Sequence, residues 1–564
     1  MPPITKVLIA IAAVLAALVV GVFSYVRFAD LSIWTDDFEN LLSESSGFAI
    51  TIDGTPHVSI GSELTVSLSN ISVANPEWPD PAPVATIDRL FVSVAPWTLL
   101  AGPVEITTLN VAGVAVDLRV KEDGRNNWQV ETTQADTDDG ERPIMHAIRL
   151  ENIAISYNGG PNTAATNTSV NRLTLLRSET GIHSLDVSGE YAQDAQQIPF
   201  NIDGELALGV RQLNIIRTRM DIGDNGVNFD GHLQFDEGQK PSIVAEISAE
   251  RFELGDTAVE NNDSSESKSG RVFSDKPISQ SWLDTANAEI QLSIKKLLIG
   301  GDELDDVRVS VSLKDGALAI DPVEFTKGDG NASASVSLKP TETALVMRVQ
   351  LSAKRLRLAA AASSNQDPNT VPPLDLELDI LGSGNTWHEI AASSGGHIAG
   401  SHHEGQINMQ GSGLLFSDIL ISVLQALNPL SEAEEFANVE CSIINVNVEN
   451  GVATVNELAA QLEKLKIIAS GKINLDTEQL DLTMRTKTRE GFGVSIGGVV
   501  NSFLAIGGTL DEPAVSLDPT GSATTAGAAI ATGGLSVLAK GLWDRLSAET
   551  NICQDRPTPK NEEN

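Results

Sequence analysis

Histidine is the side chain most used to bind transition metals and to move protons near neutral pH, and this chain groups its histidines. His397, His402 and His403 fall within seven residues, in GGHIAGSHHEG, with His388 and Glu404 nearby. Three imidazoles at that density could hold zinc. The spacing argues against it, because neighbouring residues of a strand point to opposite faces and His402 and His403 cannot readily share an ion. A Gly-rich hairpin with exposed imidazoles accounts for the same residues, so no metal is expected. Gly497-Gly498 and Gly507-Gly508 lack the strand–turn–helix setting and the lysine of a phosphate loop. No serine or cysteine stands in a nucleophile motif, and carboxylate pairs carry no information in a chain with 76 acidic residues. The expectation is a protein that is not an enzyme, with no catalytic residue and no cofactor.

Composition narrows the partners. The 564 residues carry 38 basic side chains and a net charge of −38. Nucleic-acid binding needs a basic footprint to displace counterions, and none is visible, so no nucleic acid is expected. Aromatic residues make up 4% of the chain, too few for stacking platforms. The two cysteines, Cys441 and Cys553, cannot make a disulfide framework. Two free thiols are the expectation, with a single bridge as the alternative.

The element that must position everything else is Val7 to Val26, twenty residues without a charge. A helix of that length is roughly 30 Å long, about the thickness of a hydrocarbon core. It is longer than a cleaved signal's apolar region, and SYVRFAD after it is a poor cleavage site. A single-pass anchor is expected, with residues 1–6 in the cytoplasm and the body outside it.

Beyond the anchor the apolar pattern has period two, the mark of strands buried on one face. Phe28 to Ser46 reads as a polar helix ending at Gly47. Strands are expected at Ile50–Ile52, Leu64–Leu68, Ile87–Val94 and Val104–Val120, then at Ile153–Tyr157, Leu185–Tyr191, Ile198–Leu208 and Val227–Phe235. Asp203-Gly204, Asn225-Gly226, Asp315-Gly316 and Asn450-Gly451 are expected turn pairs. The alternation is clearest where Val307, Val309 and Val311 interleave with Arg308 and Ser310. Leu345, Met347 and Val349 repeat it, as do Leu374, Leu376 and Leu378, and then Leu480 and Leu482. Leu414–Asn428 has helical spacing and reads as a cap over an open sheet end. Ala528–Leu546 reads as a second, weaker helix, and Asn261–Gly270 as a disordered polar linker. The resulting modules are 1–6 (tail), 7–26 (membrane helix), 27–135, 144–259, 281–362, 374–520 and 521–564 (tail).

The order of these pieces resembles the AsmA family of Gram-negative envelope proteins, related to bridge-like lipid-transfer proteins. The N-terminal part is similar in its Pro-rich loop (Asn75 to Pro83), in Trp97-Thr98-Leu99-Leu100, and in a turn closing in Asn127-Trp128. The C-terminal part is similar in LKDGALAIDPVEFTKGDG (Leu313 to Gly330), VENGVATVNELAAQ (Val448 to Gln461), SGKINLDTEQLDL (Ser470 to Leu482) and GGTLDEP (Gly507 to Pro513). The resemblance implies a mainly β fold: a transmembrane helix, then a long, curved, mostly antiparallel sheet forming an apolar groove, with a few short helices. It implies an inner-membrane protein with its body in the periplasm, moving phospholipid toward the outer membrane or maintaining that membrane. The candidate lining is Val307, Val309, Val311, Leu345, Met347, Val349, Leu374, Leu376, Leu378, Leu480 and Leu482. Implied partners are phospholipid, the inner membrane through residues 7–26, and outer-membrane or envelope assembly proteins. Alternation by itself shows only a dry face, so an ordinary core stays open as an explanation of those residues. The competing function is a non-catalytic scaffold that affects outer-membrane protein assembly without carrying lipid.

Overall fold

The computed structural model describes residues 35–75, 78, 82–99, 103–121, 125–128, 143–159, 166–193, 196–209, 211–236, 239–254, 271–278, 280–299, 302–357, 368–408, 436–463, 465–488, 503–517 and 552. The apolar run Val7–Val26, the helical stretches Leu414–Asn428 and Ala528–Leu546, and the linker Asn261–Gly270 lie outside them. Among the described residues no helix is long and apolar enough to cross a membrane. The chain divides into two units, 1–232 and 233–564.

In the first unit, α1 (Thr35–Ser46) leads into β1 (Ala49–Ile52), β2 (His57–Ile60), β3 (Leu64–Ala74), β4 (Ala85–Val94) and β5 (Glu105–Arg119). There follow β6 (Ile144–Met145), β7 (Ala147–Asn158), β8 (Thr166–Arg177), β9 (His183–Gln193), β10 (Gln196–Leu208), β11 (Gln212–Ile222) and β12 (Asn225–Gln234), within which the division falls. Gly47 follows the last helical residue of α1 and takes a positive φ of 76°. That left-handed conformation commonly ends a helix, and glycine adopts it without steric cost. Pairing is antiparallel except where β5 runs parallel to β6 and β7. The Asn127-Trp128 turn holds the far end of β5. Buried Asn127 accepts the Arg119 N–H through Oδ1 (2.8 Å), donates from Nδ2 to the Asp117 carbonyl (2.7 Å), and its own carbonyl receives Asn75 Nδ2 (3.0 Å). One buried amide thus ties the Pro-rich loop to that strand end.

The second unit holds β13 (Ser242–Leu254), β14 (Asn287–Ile299), β15 (Asp302–Lys314), β16 (Ala317–Lys327), β17 (Gly330–Pro340), β18 (Leu345–Leu356) and β19 (Leu374–Gly384). After α2 (Trp387–Ala392) come β20 (Gly395–His402), β21 (Gly405–Asn408), β22 (Phe436–Glu449), β23 (Val452–Leu462), β24 (Leu465–Asn474), β25 (Gln479–Thr488), β26 (Phe503–Gly508) and β27 (Pro513–Leu517). The β13–β14 pair is parallel, and the other pairs resolved in this unit are antiparallel. Asp315 and Gly316 have φ 50° and 83°, and Asn450 and Gly451 have φ 50° and 72°. Such doubly positive pairs make tight hairpin turns. Two turn expectations need correction. Asp203-Gly204 lies inside β10 at a register shift, where Gly204 is needed because a Cβ there would run into Thr218. The turn expected at Asn225-Gly226 is made by Gly223-Asp224, two residues earlier, with Gly223 at φ 54°.

A parallel pair needs a crossover, and the one from β13 to β14 runs along the ends of other hairpins. Glu478 is fully buried and accepts the N–H groups of Val272 (2.7 Å) and Phe273 (2.8 Å) through its two oxygens. The Ile278 N–H donates to the Asn385 carbonyl (2.8 Å), and Leu283, 1% exposed, packs on Leu313 and Leu345.

The thiol expectation also needs correction. Cys441 is disulfide-bonded, and the chain has one other cysteine, Cys553, outside the described residues. Its neighbour Ile552 is 4% exposed, packs on Cys441, Ile443, Ala459 and Ile468, and donates its N–H to Gln461 Oε1 (3.2 Å). Ile552 is therefore fastened to β22–β24. Closing a loop of about 110 residues is worth about 4–5 kcal/mol in the chain-entropy account. Cys441→Ser should lower denaturant stability by up to about that amount, and thiol titration of the unfolded, unreduced wild type should find no free thiol.

Candidate functional site

The feature that could act on a ligand is a face, built by register. Cross-strand partners in a ladder share a face. In the first unit one row runs Leu68, Leu90, Val111, Leu150, Leu173, Val187, Ile202, Met220. In the second unit a row runs Ile247, Leu292, Val309, Val323, Ala334, Leu351, Leu378, Ile398, Val446, Val455, Gly471, Leu482, Ile506, Val515. The next row holds Ile290, Val311, Ile320, Val336, Val349, Ile380, Gly396, Val448, Ala453, Ile473 and Leu480.

The eleven residues picked out by sequence all lie on this face, but they are not equally accessible. Val309, Val311, Met347, Val349, Leu374, Leu376 and Leu378 are half-buried. Leu345 is closed off by the crossover through Leu283. Leu480 and Leu482 are buried in a packed cluster with Val446, Val455, Ile467 and Met484, and Val307 is 6% exposed. These four belong to core in this structure. The candidate lining read from sequence leaves out Leu292, Val323, Leu351, Ile380 and Ile398, which share the two rows and are half-buried; Leu351 and Ile380 belong to the alternations read there. Period-two alternation marks each of them, but only register shows that they meet. Among the described residues, strands touch extensively only their hydrogen-bonded neighbours, so no second sheet lies on the half-buried stretch.

The opposite face is polar and laced with charge pairs. Arg348 holds Asp379 with two bonds, Nε to Oδ1 at 2.9 Å and Nη2 to Oδ2 at 2.6 Å, and these bonds keep the Asp379 carboxyl below its ordinary range. Asp329 is shared by Arg355 and Arg357.

The histidines are split between structural tasks. His402 sits on the apolar face and its Nδ1 bonds Ser442 Oγ at 2.9 Å. His403 turns the other way and bonds Asp375 Oδ2 through Nε2 at 2.9 Å. The other oxygen of Asp375 accepts the Arg355 N–H (2.7 Å), at a strand residue with φ 51°. His388 lies on α2, 3.3 Å from Asp476, and His397 pairs across from Asp379. The expected hairpin of exposed imidazoles is thus a strand whose His402 is largely enclosed.

The model of the AsmA family matches residues 1–204 and 228–458. The chain belongs to the AsmA family. The AsmA family protein YhjG of Escherichia coli (strain K12) is 22% identical over 448 residues, covering 73% of this chain and 62% of that protein. This AsmA-family chain therefore spans less than two thirds of the length of that relative. No solved structure matches.

Burial, then the charge of neighbouring His403, holds the His402 imidazole below its ordinary value. A histidine depressed in the fold binds fewer protons folded than unfolded. Its contribution is complete above about pH 6.5 and is lost as pH falls from there toward the folded value. Urea unfolding midpoints should therefore drop below about pH 6.5 in the wild type, and less steeply in His402→Gln.

Proposed function

We propose that this AsmA-family protein is an inner-membrane-anchored envelope protein that shields phospholipid acyl chains on the apolar face of its sheet. The observation that carries the reading is the half-buried run of in-register apolar rows across β14–β20. Seven strands about 4.8 Å apart make a strip roughly 29 Å long. Half the hydrocarbon core is about 15 Å, so the strip is long enough for the acyl chains of one lipid. Moving a CH₂ group into water costs about 0.8 kcal/mol, so an acyl chain of roughly 15 such groups faces a barrier on the order of 10 kcal/mol. A dry face lowers that barrier without a reaction, so neither a nucleophile nor a cofactor is required.

Two further features support a body outside the cytoplasm. The apolar run Val7–Val26 is long enough to anchor the chain. The disulfide at Cys441 is of a kind that persists in oxidising compartments and is rare in reducing ones. The scaffold alternative keeps one observation of its own: the face is closed over β22–β26 by ordinary core packing.

The test is photo-crosslinking from an unnatural side chain at position 349 of the full chain in cells, read by mass spectrometry. A phospholipid mass on the protein is expected. The same readout should fall on the order of tenfold, the change that about 1.4 kcal/mol makes, when Val309→Asp is added to a protein with unchanged β-sheet circular dichroism. A folded body without lipid adducts would leave the scaffold reading.

A further inference from the structure

The short turn after β4 has its polarity reversed. Pro96–Leu99 forms one turn of 3₁₀ helix. Its polar residue, Thr98, points inward at 8% exposure, donates from Oγ1 to the Ala95 carbonyl (2.7 Å) and accepts the Glu105 N–H (3.1 Å). Its apolar residues point outward, Trp97 at 64% and Leu99 at 51% exposure. Single exposed apolar residues are ordinary. Two of them flanking an inward, doubly bonded threonine are held out by the fold itself. The sequence from Ala95 to Val104 carries no charge in a chain that is 20% charged. Two carboxylates on the adjoining strand ends are already engaged, Glu63 with Ser93 Oγ and Glu105 with His146 at 3.6 Å.

The direction of α1 says which end of the sheet this is. Ser43 Oγ accepts the Ile50 N–H (3.0 Å) and Glu39 Oε1 the Ile52 N–H, so α1 runs antiparallel to β1. Ile52 pairs with Ile71, and β3 continues from there to Leu64, opposite Val94. Thr35 therefore points toward the end at which Pro96–Leu99 sits. The charge-free run Val7–Val26 ends nine positions before Thr35.

We propose that the Pro96–Leu99 turn seats in the surface of the same bilayer that holds the N-terminal anchor, with Trp97 and Leu99 at the level of the headgroups. The inference rests on the reading of residues 7–26 as a membrane span. Tryptophan favours that depth because its ring is apolar and its N–H can stay hydrated. A second contact beside the anchor would set the strands of the first unit at a fixed angle to the membrane, with the ends of their apolar rows at the lipid.

The test uses the full chain in vesicles of phosphatidylethanolamine and phosphatidylglycerol containing a phospholipid brominated near the top of one acyl chain. Tryptophan emission is compared for wild type, Trp97→Phe and Trp128→Phe. Trp128 belongs to the turn at the other end of β5 and serves as the control. Quenchable emission should fall in Trp97→Phe, by the share Trp97 adds to that of the other six tryptophans, and be kept in Trp128→Phe. Equal quenchable emission in wild type and Trp97→Phe, or its loss in Trp128→Phe, overturns the proposal. Extraction by alkaline carbonate separates the two levels. A protein that washes off the vesicles removes the anchor and this inference together. One that stays on with Trp97 unquenched removes the inference alone.

Discussion

Strand side chains alternate with a period of two, so a slip of one residue turns every apolar side chain to the polar face. The structure depends on avoiding that slip from one hairpin to the next. In the second unit the same row passes from Ile247 to Val515 through each intervening ladder partner. Tight turns at Asp315-Gly316 and Asn450-Gly451 lock two of these registers. Register shifts elsewhere, as between Ala353 and Leu356, restore the face after an extra residue. The polar side chains then serve the ladder, and Asp375 shows how. It holds the backbone of Arg355 at such an irregularity and, through its second oxygen, turns His403 away from the apolar side.

A sheet with one apolar face must cover it, curl over it or put it to use. This chain does more than one of these. α1 lays Leu42 on Ile52, Leu68 and Ile71. The crossover before β14 drops Leu283 onto Leu313 and Leu345. The strands β22–β26 bury their apolar side chains in one cluster. Between the second and third of these the rows are only half-buried, and that contrast within one continuous face is what gives the lipid reading its place in the structure.

The opposite face has a different economy. Much of it is serine and other uncharged polar residues, with exposed charge pairs such as Arg348–Asp379 among them, and exposed pairs of this kind contribute little each. Its apolar exception, Cys441 with Ile443, Ala459 and Ile468, is covered by Ile552 and sealed by a disulfide.

Much of this was legible in the residues alone. Alternation in Val307–Val311, Leu345–Val349 and Leu374–Leu378 named strands and the dry side of each, because the period belongs to the local backbone. Asp-Gly and Asn-Gly pairs named two hairpins for the same reason, since both residue types accept positive φ. Local signals failed where a distant partner decided. Gly204 follows an aspartate yet stays in a strand because the neighbouring strand approaches closely at Thr218. Leu345 and Leu480 carry the same pattern as Val349 and Leu378, and only packing by Leu283 and by the β22–β26 cluster makes them core. The engagement of Cys441 likewise comes from contacts far along the chain, whereas the division of His402 from His403 follows from the strand period itself. The sequence by itself determined the strands, their dry faces and the family. Which part of that dry face stays accessible was decided by tertiary structure, because burial depends on what crosses over a residue and not on its neighbours in the chain.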